Sequence, residues 1–160
     1  MDNKETIYFL FTKNDHFPFL ECPNGLKVQK INYFRRKILN SIWRIPSKSI
    51  WTRFTRGDHC YIALLDDKPV HYSWVQKKRI HFVKPENLYV KVKKDEIWIY
   101  HCRTAESARG KNIYPLVLQE IIKKELRKKK RTVYIYTTEA NVASINGIKK
   151  AGFKQIKFTI

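Results

Sequence analysis

"EIWIYHCRTAESARGKNIYPLVLQEI", residues 96–121, is the stretch from which the architecture of this chain can be read. Its first nine residues, 96–104, are rich in β-branched and aromatic side chains and predict a strand. The turn-prone tetrad Arg109, Gly110, Lys111 and Asn112 follows. Beyond it, residues 113–130 carry Ile113, Leu116, Val117, Ile121 and Leu126 on or near one helical face. Pro115 suits the first turn of that helix, where its missing N–H is not needed. A further β-forming run, "TVYIYTT" at 132–138, comes next. Strand, helix and strand in this order imply a parallel pair joined by a right-handed crossover.

Working outward, "TIYFLFTK" (6–13) predicts a first strand, and residues 14–26, with Pro18, Pro23 and Asn24-Gly25, a loop. Val28, Ile31, Phe34, Ile38, Leu39 and Ile42 recur at helical spacing, so 27–43 is expected to be a helix that Pro46 ends. Residues 59–76 read as a hairpin: "HCYIALL", the turn "DDKP", and the returning "VHYSWVQ". Residues 77–94 are basic and irregular, with Pro85 and Asn87 as breakers. A short helix is expected over 141–151 and a last strand over 153–160. The hairpin demands antiparallel pairing and the central unit a parallel pair. A mixed α/β (α+β) sheet of about six strands with helices packed on its faces satisfies both.

The chain has 160 residues, 43% hydrophobic and 14% aromatic, which predicts one globular domain over 1–160. Apolar runs such as "IYFLF" (7–11) are too short to span a bilayer, and nothing resembles a secretory signal. Cys22, Cys60 and Cys102 lack paired spacing, which fits free thiols in a reducing cytoplasm and no metal site. The formal charge of +19 attracts anions: nucleic acid, anionic lipid or phosphorylated small molecules. The joint richness in Lys, Ile, Asn and Tyr that an AT-rich genome produces accounts for it equally well. The dense cluster "KKELRKKKR" (123–131) lies where a helix should end, and cations are stabilising there. Charge alone therefore does not make this a nucleic-acid binder.

The basic tetrad lies between a strand and a helix whose first N–H groups have no intrahelical acceptor. Those donors and the positive end of the helix dipole suit a pyrophosphate. Gly110 permits close approach, Asn112 tolerates left-handed angles, and Arg109 and Lys111 add charge. A plain turn with solvated basic residues is the alternative.

The distal "NVASINGIKKAGF" (141–153) adds a second motif. Together with "RTAESARGKNIYPLVLQEI" and "VYIYTTEA" it resembles the GNAT superfamily of acyl-CoA-dependent N-acetyltransferases. The resemblance covers roughly the last 65 residues. It implies a mostly antiparallel sheet with a central parallel pair, and acetyl-CoA as co-substrate without a metal. It implies that Arg109, Gly110, Lys111, Asn112, Ile113 and Tyr114 wrap the pyrophosphate. Cys102, Arg103 and Thr104 would hydrogen-bond the pantetheine arm, with Asn141 and Ser144 opposite. The family's second loop glycine is Asn112 here, and its last small residue is Tyr114. The tyrosine that many members use as general acid falls at Ile148, and the family's usual seventh strand has no counterpart after Ile160. The sheet is therefore expected to be short or completed by another chain.

For the chemistry, His101 and Glu96 are candidate bases, and Tyr136, Tyr134 and Tyr100 candidate proton donors. Each has a structural alternative as a core or surface residue. Cys102 has no readable partner that would make it a nucleophile. On the returning hairpin strand, His71, Ser73 and Val75 alternate against Tyr72 and Trp74. His71, Ser73 and Trp74 are candidate acceptor contacts for a sugar or nucleotide. The expected acceptor is a small-molecule primary amine, first an amino sugar on a nucleotide or lipid carrier. Protein N-termini or lysines, or a non-catalytic module binding nucleic acid, are the alternatives. A monomer or homodimer is expected.

Overall fold

Asp66 and Asp67 both adopt left-handed backbone angles (φ 50° and 63°), the geometry that a two-residue hairpin turn requires. They join β3 (His59–Leu65) to β4 (Lys68–Gln76) in a computed structural model that describes residues 5–127 and 129–160. Lys128, within the basic cluster, lies outside the described residues.

The remaining strands of the main sheet are β1 (Thr6–Thr12), β2 (Leu26–Ile31), β7 (Glu96–Thr104), β8 (Thr132–Thr138) and β9 (Lys154–Ile156). β5 (Ile80–Val83) and β6 (Leu88–Lys91) form a separate two-stranded ribbon. The main sheet runs β2-β3-β4-β7-β8-β1-β9, and only β7 and β8 are parallel neighbours. The helices are α1 (Ser47–Arg56), α2 (Ile113–Glu125) and α3 (Val142–Lys150), with short 3-10 segments at Tyr33–Ser41, Lys84–Glu86 and Glu106–Ala108. Among the described residues no helix is long and apolar enough to cross a membrane.

Both faces of the sheet are covered, as the alternation of its strands requires. On one face Phe9, Ile97, Ile99 and Ile135 of the strands pack with Val117 of α2 and Ile148 of α3. On the opposite face, Ile62, Tyr72 and Trp74 pack against Leu39 and Ile50. Tyr8 and Trp98 are covered there by Val83 and Val90 of the ribbon.

Several expectations change. The sheet has seven strands rather than about six: the expected first strand, β1, lies between β8 and β9, antiparallel to both, and Leu26–Ile31, expected as loop and helix, is an additional strand, β2, paired with β3. No second chain is needed to supply that strand. Residues 27–43 are not one helix: β2 occupies the start and a 3-10 segment capped by the Asn32 side chain the rest. Val28 packs toward α2 and Ile31 toward α1, the opposite faces expected for strand residues three apart. Phe34, also part of the supposed stripe, is 87% exposed. Pro46 precedes a helix instead of ending one, and the irregular 77–94 contains the β5–β6 ribbon.

The feature that positions the site is a divergence of β7 from β8. They pair from Glu96↔Thr132 to Ile99↔Ile135, and no further. Beyond that point β7 stays with β4 and β8 with β1. β7 is also bulged: Tyr72 faces Arg103 but Trp74 faces Tyr100, so His101 and Cys102 together oppose Ser73. His101 takes φ 47° there.

Candidate functional site

A cavity of about 460 Å³ opens on the α2–α3 side of the divergence. Its floor is Cys102, Arg103 and Thr104 of β7, and its walls are the loop before α2 and the start of α3. Asn112, at φ 58°, is the N-cap residue of α2, yet its side chain makes no capping bond; its Nδ2 donates to Glu21 O at 3.5 Å. No acidic residue occupies the first turn, so its N–H donors and the helix dipole remain available to a ligand. Gly110 has φ 76°, and a Cβ added there would meet no protein atom within 4 Å. The loop therefore turns an open, positively polarised backbone surface to the cavity, which fits a pyrophosphate.

Deeper in, Tyr114 fills the position where a small residue was expected. A Cβ on Gly147 of α3 would stand 2.6 Å from Tyr114 Cδ1, so the two residues are a matched large–small pair. The Tyr114 ring stacks on His71 (5.5 Å between centroids), and its hydroxyl lies 3.5 Å from Ser144 Oγ. Burial first, and also Cys102, raise the Tyr114 phenol well above its usual range. Cys102 is pushed up to about 11 by burial, against the lowering effect of hydrogen bonds with Ser73 and Tyr114. It stays a thiol at neutral pH and is a poor nucleophile. His71, fully buried, has Nδ1 2.7 Å from Thr104 Oγ1 and Nε2 2.8 Å from Ser73 Oγ. Burial lowers its pKa to about 3, so it is a neutral strut. Asn141 caps α3, its Oδ1 accepting from Ser144 N at 3.2 Å.

A second cavity, of about 590 Å³, lies on the opposite side of β7, between α1 and the β5–β6 ribbon. Tyr100 and His101 of β7 line it, with Arg53 and Arg56 of α1, His81 of β5 and Tyr136 of β8. Arg56 is ion-paired to the buried Asp58, and the Tyr100 hydroxyl bonds both of them. Burial, and then Arg53, Arg103 and Lys84, lower His101 to about 4. Among the described residues no cluster of His, Cys, Asp and Glu could hold a metal ion.

No family model matches the sequence, and no curated protein resembles it closely enough to count as a match. Solved structures do match. A GNAT-family acetyltransferase from Colwellia psychrerythraea superposes with a TM-score of 0.64 at 15% identity, over 94% of this chain. An aminoglycoside acetyltransferase from an uncultured soil metagenomic sample, in complex with trehalose, gives 0.64 at 11% identity over 88% of this chain and 95% of its own. A Bacillus subtilis acetyltransferase in complex with CoA gives 0.60 at 18% identity, over 81% of this chain and 76% of its own. This chain has the GNAT acetyltransferase fold. It spans only about half (53%) of the Colwellia protein's length.

Within this GNAT fold, the first cavity brings together Cys102, Arg103, Thr104, Arg109, Gly110, Asn112, Ile113, Tyr114, Asn141 and Ser144. Lys111 belongs to the same loop but is exposed and does not line the cavity. The proposed acceptor contacts separate. His71 lines the first cavity, Ser73 is buried beneath it as a hydrogen-bond partner of His71, and Trp74 is fully buried on the other face, lining neither cavity. The strand alternation that singled them out divides them between layers.

Of the chemical candidates, His101 lines the second cavity, but its Nδ1 accepts from Arg53 Nη1 at 2.8 Å. Tyr136 lines it too, its phenol raised to about 12 mainly by burial. Glu96 stands at the paired end of β7, away from both cavities. Its Oε2 accepts from Lys93 N at 3.1 Å, which ties down the preceding turn. Ile148, on the buried face of α3, offers no acid. Sequence reasoning missed His81, Gln76, Arg53 and Arg56. The strand "IHFV" (80–83) carried no local signal for His81, because it buries His81 and Val83 and leaves the apolar Ile80 and Phe82 outside.

Proposed function

We propose that this chain is an acetyl-CoA-dependent N-acetyltransferase acting on the primary amine of a small molecule. The observation that carries the proposal is the first cavity. It joins the divergence of β7 from β8, an uncapped helix N-terminus and the open surface over Gly110. The GNAT fold of its structural neighbours, one of them described in complex with CoA, supports the same reading.

In this reading the backbone N–H groups of residues 110–114 hold the pyrophosphate, and Arg109 at the rim adds charge. The edge of β7 past Ile99 has no strand partner on the β8 side, so its backbone groups can pair with the amides of the pantetheine arm. Asn141 and Ser144 flank the arm from α3. The bulge puts Cys102 in the first cavity and His101 in the second, so a thioester carbonyl held along this edge would be presented toward an acceptor on the other side. The bound thioester supplies the activated acetyl group. A neutral amine entering from the second cavity attacks its carbonyl carbon as the C–S bond breaks, the proton that the nitrogen gives up to solvent balances the one the thiolate gains, and holding the two groups together lowers the barrier. Tyr114, kept protonated by burial, is the phenol in the donor cavity from which the departing thiolate can regain a proton. His101, its Nδ1 occupied by Arg53, orients rather than deprotonates. An amino sugar carried on a nucleotide or lipid is the proposed acceptor.

Thermal unfolding with acetyl-CoA tests the donor site. At a hundredfold excess over Kd the ligand adds about 2.7 kcal/mol, a rise of about 5–10 °C. An acceptor screen following thiol release then tests the chemistry. No thermal shift at saturation, together with salt-sensitive RNA binding, would sink the enzyme reading in favour of a nucleic-acid module.

A further inference from the structure

We propose that the second cavity selects acceptors that carry an anionic group, phosphate or carboxylate, and that His81 Nε2 receives an N–H of the amine. The inference rests on the acetyltransferase reading for the direction of transfer, while the binding chemistry stands on the cavity alone.

The charge of the lining is one-sided. Lys48, Arg53, Arg56 and Lys84 contribute to it, and no carboxylate does. Two carboxylates stand beside lining residues: Asp58, committed to Arg56 and Tyr100, and Glu86, next to Pro85, which accepts from the Tyr8 hydroxyl at 2.7 Å. Lys48, Arg53 and Lys84 have no ion-pair partner among the described residues. Three like charges around one concave surface repel each other, and a bound anion relieves that repulsion. A polycationic acceptor meets the opposite: each added ammonium raises the energy of the complex. The same field favours the neutral form of a bound amine, which is the nucleophilic form.

His81 supplies the second, independent observation. Gln76 Nε2 donates to Lys78 O (3.0 Å) and Ile80 O (2.9 Å), which fixes its amide orientation. Gln76 Oε1 is therefore the acceptor facing His81 Nδ1 at 2.8 Å, and the imidazole proton sits on Nδ1. Nε2 is left as a lone-pair acceptor with no hydrogen-bond partner, on a side chain that is 2% exposed and lines the cavity. Stacking on Trp98 at 5.1 Å, with Tyr100 and Tyr136 at its edges, holds the ring in place. Burial, assisted by Arg56, lowers its pKa to about 4 and keeps the ring neutral. A buried acceptor without a donor is costly, and a ligand N–H removes that cost. A hydrogen-bond acceptor at one wall and uncompensated cations along the others define a ligand that is an amine at one end and an anion at the other.

The test compares D-glucosamine 6-phosphate, glutamate, D-glucosamine and sisomicin as acceptors in wild-type protein. The two anionic amines are expected to exceed glucosamine in kcat/KM by about tenfold or more, with sisomicin lowest. The better of the two identifies phosphate or carboxylate as the recognised group. Charge reversal of the exposed pair, Lys48→Glu with Lys84→Glu, is expected to raise KM for the anionic acceptors by about tenfold while the acetyl-CoA thermal shift is unchanged. His81→Phe is expected to raise KM for charged and neutral amines alike. Preference for glucosamine or sisomicin, or indifference to the charge reversal, overturns the inference. Failure of the acetyl-CoA shift overturns the donor reading instead. In that event, direct binding of glucosamine 6-phosphate, followed by isothermal titration, still decides: binding lost on charge reversal supports the anion site, and no binding to wild type rejects it.

Discussion

Replacing Gly110 by Ala separates the cost of a backbone conformation from the cost of blocking a ligand. The residue sits at φ 76°, where an L-side chain is strained by about 1–2 kcal/mol. No steric cost adds to this, because the new Cβ would meet nothing within 4 Å. For a chain of this size that strain lowers Tm by about 2–8 °C. The methyl group would stand in the space over the loop that the pyrophosphate needs, so acetyl-CoA affinity is expected to fall by at least about tenfold, or 1.4 kcal/mol. Gly57→Ala is the control. It has a similar angle, φ 90°, and its Cβ would meet only the movable Lys78 side chain, at 2.9 Å, remote from this loop. Its Tm should fall comparably with no change in acetyl-CoA affinity. Isothermal titration and thermal melts of both variants supply the comparison. Equal acetyl-CoA affinity in Gly110→Ala and wild type, with the Tm loss present, would refute the placement of the anion over this loop.

Gly147→Ala gains about 1 kcal/mol of helix propensity but forces Tyr114 aside, an overpacking cost of about 1–3 kcal/mol. Net destabilisation in denaturant melts is expected, and it should disappear in a Tyr114→Ala background; persistence there would mean that the contact is not the cause. Tyr114→Phe keeps the ring and removes the phenol, so kcat should fall by about tenfold or more with KM for acetyl-CoA unchanged; an unaltered kcat assigns the proton elsewhere. Acid should destabilise the fold through its buried histidines. His71 and His81 are lowered to about 3 and about 4, so between those values and the unfolded pKa of about 6.5 the unfolded chain binds more protons. Stability is fully present above about pH 6.5 and is lost as pH falls below it, at up to about 1.4 kcal/mol per unit for each group. A Tm that stays flat from pH 6.5 to 5, above the carboxylate range, contradicts this.

The parts of the fold that were legible in the sequence are those set by local chemistry. The central strand–helix–strand unit follows from periodicity and the aspartate pair from its turn geometry. What was not legible depends on partners distant in the chain. Nothing in "TIYFLFT" says that it will lie between β8 and β9, because its pairing from Thr6↔Thr138 to Thr12↔Thr132 is entirely non-local. Apolar residues three apart satisfy a helix and also a strand covered on both faces, and residues 26–31 are the latter. Pro46 can end one element or begin another, and only α1 decides between them. In the site, the fitness of Gly110 and Asn112 for left-handed backbone angles was readable, and both adopt them. Tyr114 looked like a departure there until Gly147 appeared opposite it. His81 gains its significance only from the fixed Gln76 amide and the cations around it.

The most direct measurement is a titration of ¹⁵N-labelled protein with acetyl-CoA, following backbone amide shifts. The largest shifts are expected at Gly110 to Tyr114, with the exception of no residue between them, and at Cys102 to Thr104 along the β7 edge. Saturation with these amides unmoved, or with shifts confined to the second cavity, would contradict the assignment of the donor site.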